Sequence, residues 1–331
     1  MTPAFKSRRA RRTHGITLIE LLVSVAIGMV LMIAIISAYL GSAGASRMAE
    51  AQGRMNEDAQ AALSILAQQI RMAGDNPRRP EYDNATRRNP AFTATTYFIR
   101  GCDGTFTDVT TATDIASLTC SAGTNNNPDS IAISYEADVD NTVPTSGGVA
   151  TDCLGQGLPT VTGNITKWDG VSTVAPATTT VAATFTVADN RFYIATPASS
   201  STPSLYCSGN GRALLASSRQ SPQPLAENIE DLQFVYGTAP TTGTMTMAGF
   251  LTANEVETEI NLAALPDSPS RWARTMTVRI CVLARSNDPV VSDTGSAGYY
   301  NCQGTLVTNP PDKRLRRAYF STVVMRNRVP S

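Results

Sequence analysis

Residues 16–40 (ITLIELLVSVAIGMVLMIAIISAYL) form a run of 25 residues that is apolar apart from one carboxylate, Glu20, and a few hydroxyls. As a helix rising about 1.5 Å per residue, the run can cross a hydrocarbon core of roughly 30 Å. Ahead of it stand Lys6, Arg8, Arg9, Arg11 and Arg12 with no acidic residue to balance them. A basic flank stays on the cytoplasmic side, so the chain after the run is expected to be exported.

Three readings of the segment compete. A secretory signal has an apolar region of about 7–15 residues followed by a small-residue cleavage site. This run is longer, and a cut near residues 42–45 would discard it and leave Glu20 without a purpose. A plain signal anchor accounts for the length and the arginines but makes Glu20 and the abutting Gly15 accidents. In the third reading the chain is cut between Gly15 and Ile16, on the cytoplasmic side, and the helix is kept. The residues RRTHG/ITLIELL resemble the processing signal of type IV prepilins: a glycine before the cut, a hydrophobic residue after it, and a glutamate at the fifth mature position, here Glu20. Isoleucine stands where that family usually has phenylalanine. The resemblance implies a prepilin peptidase as a partner, Gly15 and Ile16 as the processing site, and N-methylation of Ile16. A charge inside a membrane helix costs on the order of 2.5–3.5 kcal/mol at its centre, so it persists where something pairs with it. The new α-amino group of Ile16 is the expected partner of Glu20, with support from the positive end of the helix dipole. In a filament, the resemblance implies, Glu20 meets the ammonium of a neighbouring subunit.

Composition narrows the function classes. The whole chain balances 27 basic against 27 acidic residues. Without the leader 22 basic residues remain, a mildly acidic balance that makes bulk binding of nucleic acid an unfavoured partner class. The sole histidine, His14, lies in the leader, and Lys167 and Lys313 are the only lysines after it. A mature chain without histidine has no Ser-His-Asp or Cys-His nucleophilic machinery and lacks the commonest zinc ligand. An enzyme is therefore not expected, and neither a cofactor nor a metal. Cys102, Cys120, Cys153, Cys207, Cys281 and Cys302 are widely spaced, with no CxxC pair. In an exported domain they read as disulfides. Spacing alone does not choose among the connectivities. Neighbour pairing of Cys102 with Cys120 and of Cys281 with Cys302 would close short, turn-rich loops, and Cys153 with Cys207 follows only by elimination.

Helical character continues past the apolar run. Met55, Ala59, Ala62, Leu63, Leu66 and Ile70 recur at spacings of three and four, which marks one packing stripe. Gly74 and Pro77 supply the stop, giving a helix over about residues 16–72. Gly41, Gly44 and Gly53 are its expected places of bending or unwinding. After residues 75–89, rich in Pro and Arg, the period changes to two. Residues 95–100, 130–137, 229–236, 274–286 and 319–324 read as strands. Residues 184–187 and 191–195 read as a hairpin around 188–190, and 204–207 with 212–216 as another around 208–211. Residues 141–176, rich in Thr, Gly and Pro, read as loop. Met276, Val278, Ile280 and Val282 share one strand face that must be buried. Trp272 reads as core. The fold class implied is α+β, one long N-terminal helix packed on an antiparallel β-sheet domain. Its expected divisions are a leader (1–15), an apolar helix half (16–40), an amphipathic half (41–74) and an exported head (75–331).

Other motifs carry less. Residues 136–141 (EADVDN) concentrate oxygen ligands but lack the glycine and distal glutamate of a calcium loop, so an acidic turn is expected and a calcium site stays open. Gly209-Asn210-Gly211 precedes a short strand instead of a helix and makes a poor phosphate cradle. Asp231, Glu255, Glu257 and Glu259 show no acid–base spacing. The segments AENIEDLQFVYG, RWARTMTVRICVLARS, RRAYFSTVVMRNR and SIAISYEADVD are similar to stretches of PilW-like minor pilins of type IV pili. That resemblance implies a single-pass inner-membrane protein with a periplasmic head, later taken into a pilus. Other minor pilins, the major pilin, the inner-membrane assembly platform and, as a further option, a large tip adhesin are its implied partners. The implied role is in a priming or tip complex. The same spine fits a minor pseudopilin of type II secretion, and a DNA-capturing subunit of a competence pilus is a third reading.

Overall fold

A computed structural model describes residues 15–77, 96–121, 127–168, 178–197, 200–211, 219, 221–240, 247, 249–259, 262, 265, 267–325 and 327. The chain divides into two compact units, residues 1–50 and 51–331. The division lies inside helix α1 (Leu18–Met72). It falls ten residues past the end of the apolar run, because no residue between 41 and 50 is buried. Composition marks the first boundary and packing the second.

In the first unit, as far as Leu40, the helix is apolar on nearly all sides. An 18-residue stretch has a mean hydropathy of 2.7 and no buried residue. Its large apolar side chains are exposed, from 48 % at Val25 to 78 % at Leu18. A helix that is hydrophobic all round is normally covered by lipid or by other helices. The helix runs unbroken through Gly41, Gly44 and Gly53, so the unwinding expected at them is not seen. Glycine weakens a helix by roughly 1 kcal/mol against alanine, too little to break one continued on both sides.

In the second unit α1 presents the expected stripe. Met55, Ala59, Ala62, Leu63, Leu66, Ala67 and Ile70 are buried. Gly74 ends the helix at φ +70°, where a side chain would be strained, and its N–H donates to the Ser134 carbonyl at 2.9 Å. The strands follow as β1 (Ile99–Cys102), β2 (Ser130–Glu136), β3 (Thr160–Trp168), β4 (Thr178–Ala195), β5 (Ser204–Ser208), β6 (Gln223–Glu227), β7 (Ile229–Thr238) and β8 (Gly249–Leu251). Short helices α2 (Ala253–Thr258) and α3 (Ser268–Trp272) precede β9 (Thr275–Arg285), β10 (Tyr299–Tyr300), β11 (Leu306–Val307) and β12 (Arg316–Val324).

Two main antiparallel sheets share one core with the helix. The first has the order β1-β2-β4-β5-β6, with β3 paired to the early part of β4; the second runs β12-β9-β7-β8. Ile131, Ile133 and Tyr135 of β2 stand opposite Phe192, Asn190 and Ala188 of β4. Asn190 Nδ2 donates to Gln69 Oε1 of α1 at 2.8 Å, which fixes this as the helix-facing side. In the second sheet Met276, Val278, Ile280 and Val282 are buried, as their spacing requires. Asn228 Nδ2 reaches Asp58 Oδ2 at 3.0 Å, and Tyr319 Oη donates to Asn56 Oδ1. Trp272 is 1 % exposed, meets Tyr236 edge-on at 4.8 Å, and donates from Nε1 to Glu257 Oε1 at 2.7 Å.

Three expectations need correction. Residues 184–187 and 191–195 are not a hairpin, because β4 runs straight through 188–190. Asp189 and Asn190 are turn formers by composition, yet both side chains find partners in the packed core: Asp189 takes Arg191 of its own strand, and Asn190 spans Gln69 of α1 and Tyr135 of β2. The stretch 141–176 is not all loop, since β3 lies within it and pairs with β4 from Thr160–Thr186 to Trp168–Thr178. The first strand begins at Ile99 and ends at Cys102, later than expected. The proposed strand 212–216 lies outside the described residues.

Disulfides join Cys102 to Cys120, Cys153 to Cys207 and Cys281 to Cys302. The last ties β9, on the face opposite Ile280 and Val282, to the lobe carrying β10 and β11, across a sequence separation of 21. A bond closing a loop of that size restrains the unfolded chain by about 3 kcal/mol. The Cys281→Ser/Cys302→Ser variant is expected to lose about that much stability, seen as a lower urea midpoint than that of the oxidised wild type.

Candidate processing and assembly site

Gly15, Ile16 and Thr17 precede the helix, and all three are exposed. Thr17 is its N-cap: its carbonyl accepts the first helical hydrogen bond, from Leu21 N at 3.1 Å. The Thr17 hydroxyl accepts from Glu20 N at 3.3 Å and donates to Glu20 Oε2 at 3.1 Å. In return Glu20 Oε2 accepts from Thr17 N at 3.0 Å. This is a reciprocal capping box, in which each side chain satisfies a backbone donor that the first turn leaves open. The carboxylate therefore sits at the positive end of the helix dipole, over the N–H of the residue that follows Ile16.

Gly15, Ile16 and Glu20 thus fall within six consecutive residues at the start of α1. Thr17 is absent from the expectations above. The T-x-x-E pattern of Thr17-Leu18-Ile19-Glu20 is the signal that could have disclosed it. In the uncut chain Ile16 has no ammonium, and the partner of Glu20 is Thr17.

The second unit holds polar groups of another kind. Asp189 lies between Arg191 and Arg219 on the side of β4 turned away from α1. Asp152 Oδ2 accepts from Gly211 N at 2.8 Å, and a Cβ at Gly209 would stand 2.0 Å from that oxygen, so the glycines there admit a carboxylate from their own chain. The oxygen-rich turn at 136–141 is closed on itself. Asp138 Oδ1 accepts from Asp140 N and Asn141 N, and Asn141 Oδ1 accepts from Asp138 N. Among the described residues no three His, Cys, Asp or Glu side chains gather as a metal site. A cavity of about 380 Å³ on the first sheet is lined by Tyr97, Asp114, Ile115, Ser134 and Asp189 among others. Its lining contains neither histidine nor cysteine.

Residues 10–36 match the prokaryotic N-terminal methylation motif, which spans the whole of the Thr17–Glu20 box. Residues 191–327 match the family of PilW, type IV pilus-assembly protein W. Over that stretch the chain is similar to the PilW family. The second match starts inside β4 and takes in β5 to β12, so it contains the entire second sheet. No curated protein matches the chain significantly. Among solved structures, a type IV-like pilin from Thermus thermophilus aligns over 61 % of this chain and 79 % of its own, at 12 % identity and a TM-score of 0.25. That score is too low to compare the two folds.

Proposed function

We propose that this PilW-like chain is a minor pilin of a type IV pilus. The observation that carries this reading is the presence in one chain of the methylation motif at residues 10–36 and the PilW-type region at 191–327. The precursor is held in the inner membrane by residues 16–40, with the head in the periplasm. A prepilin peptidase removes residues 1–15, and the Ile16 amine is methylated. The apolar half of α1 then leaves lipid for the packed helices of a filament, where other pilins cover it. The low-copy role suited to a head of this size is in a priming or tip complex with other minor pilins.

Mass spectrometry of the mature N-terminus tests the processing. The expected first residue is Ile16 carrying one methyl group; an N-terminus at Met1 or near Ala45 would remove the pilin reading. Deletion of the gene is expected to abolish twitching while leaving type II secretion intact, and the opposite phenotype would assign the chain to a secretion pseudopilus. Glu20→Ala is expected to insert and to be cleaved, yet to leave cells without pili. Normal piliation in that variant would count against a pairing between Glu20 and the Ile16 ammonium.

A further inference from the structure

Cleavage before Ile16 requires that the Gly15–Ile16 peptide bond be presented as extended chain, since a carbonyl inside a helix is engaged four residues on and shielded by its neighbours. An apolar helix entering a membrane has every reason to extend in the N-terminal direction, because each added turn satisfies backbone groups that lipid does not. Something must stop α1 before the bond to be cut. In this chain the helix starts at Leu18, and the box formed by Thr17 and Glu20 marks that start. Gly15 supports the stop from the other side, having the poorest helix propensity of any residue except proline.

We propose that Thr17 is a positioning residue for prepilin processing, whose reciprocal box with Glu20 ends α1 at Leu18 and so keeps the Gly15–Ile16 bond outside the helix. The inference rests on the reading that this bond is the one cut. It has support independent of the box itself, because residues 10–36, which include Thr17 and Glu20, match the prokaryotic N-terminal methylation motif. The reaction is amide hydrolysis: water adds across the Gly15–Ile16 bond, Gly15 leaves as a carboxylate and Ile16 gains the ammonium. Thr17 touches neither the water nor the carbonyl. Its hydroxyl acts by holding the backbone on either side of it, one peptide away.

The division of labour within the box is specific. Glu20 accepts from the Thr17 N–H, and the Thr17 hydroxyl accepts from the Glu20 N–H. Valine at 17 keeps the shape and β-branching of threonine and loses both hydroxyl bonds. Serine and asparagine restore a side-chain acceptor and are good N-caps, whereas alanine and valine are not.

The test is the cleavage of the full-length precursor in detergent micelles by a purified prepilin peptidase, with kcat and KM measured separately. Thr17→Val and Thr17→Ala are expected to slow kcat/KM roughly three- to tenfold, the rate equivalent of one lost N-cap. Thr17→Ser and Thr17→Asn are expected to stay within about twofold of wild type on the same scale. Equal rates for Thr17→Val and wild type would overturn the positioning role, as would a Thr17→Ser variant as slow as Thr17→Val. Failure of the wild type itself to be cut at Gly15 would instead overturn the processing reading on which the inference stands. Flotation of each variant with vesicles separates slow cleavage from failed insertion, which a positioning role leaves unchanged.

Discussion

Replacing Asp189 with alanine is expected to destabilise the head by about 3–5 kcal/mol, the usual consequence of removing one partner from a buried ion pair. Asp189 is the hub of three charges. Arg191 holds it with two bonds, Nε to Oδ1 at 3.1 Å and Nη2 to Oδ2 at 2.8 Å, and its third nitrogen donates to the Val109 carbonyl at 2.7 Å. Arg219 donates from Nη1 to Oδ2 at 2.9 Å, and its Nη2 reaches the carbonyls of Asp189 and Ser208. The side chains are 0 % exposed for Arg191, 6 % for Arg219 and 11 % for Asp189. Burial draws the Arg219 guanidinium below its ordinary range, and the charge of Asp189 works against that shift. Without Asp189, two guanidiniums are left in a poorly hydrated site with backbone carbonyls as their remaining acceptors. Urea unfolding of the full chain in detergent measures the effect. The triple variant Asp189→Leu/Arg191→Met/Arg219→Met, which removes all three charges, is expected to recover most of the loss, because apolar replacement of a whole buried cluster is often neutral. A loss below about 1 kcal/mol in Asp189→Ala would show that water reaches the cluster and screens it as it does at a surface.

That cluster also shows what could be read from the chain and what could not. The stripe from Met55 to Ile70 and the alternation in β9 were legible because burial repeats at the period of the element that carries it. Gly74 was legible as a stop because the conformation it adopts is one that glycine tolerates without strain. Asp189-Asn190 was misread for a reason of the same physical kind: both residues favour turns when their side chains bond their own backbone, and here they bond Arg191, Gln69 and Tyr135 instead. Those partners come from within the sheet and from 121 residues away in sequence, so local propensity carried no trace of them. Strand β3 was hidden in the same way, since its ladder is supplied by β4 and the Thr- and Gly-rich sequence around it reads as loop. At the N-terminus Gly15, Ile16 and Glu20 stood out by charge and spacing. Thr17 did not, because a threonine before an apolar run looks ordinary until its bond to the glutamate three residues on is seen.

The second large effect is a dependence on pH centred on Asp129. This carboxyl lies where the two sheets meet, with its own N–H donating to the Leu232 carbonyl at 2.6 Å and its Oδ2 accepting from Phe234 N at 2.7 Å. It is 3 % exposed. Burial pushes its pKa up to about 8; the negative charges of Asp103 and Asp231 push the same way, and the hydrogen bond from Phe234 opposes. Asp231 and Tyr236, which face the same region, are themselves raised by burial. In an unfolded chain an aspartate titrates near 3.9. Between roughly pH 4 and 8 the folded state therefore holds a proton that the unfolded state has released, and stability falls as pH rises through that window. Above about pH 8 both states are ionised and the slope from this group vanishes. Across the whole window the loss is at most ~6 kcal/mol. Asp129→Asn keeps an oxygen to accept from Phe234 N and cannot ionise, so it is expected to match the wild type near pH 4, to exceed it increasingly up to pH 8, and to flatten the profile. The residual slope in that variant belongs to Asp231, whose raised carboxyl acts in the same direction. Unfolding free energies at unit steps from pH 4 to 9 decide the matter: parallel profiles for wild type and Asp129→Asn would mean that Asp129 is ionised in the folded head and that its neighbours, or water entering the junction, carry the charge.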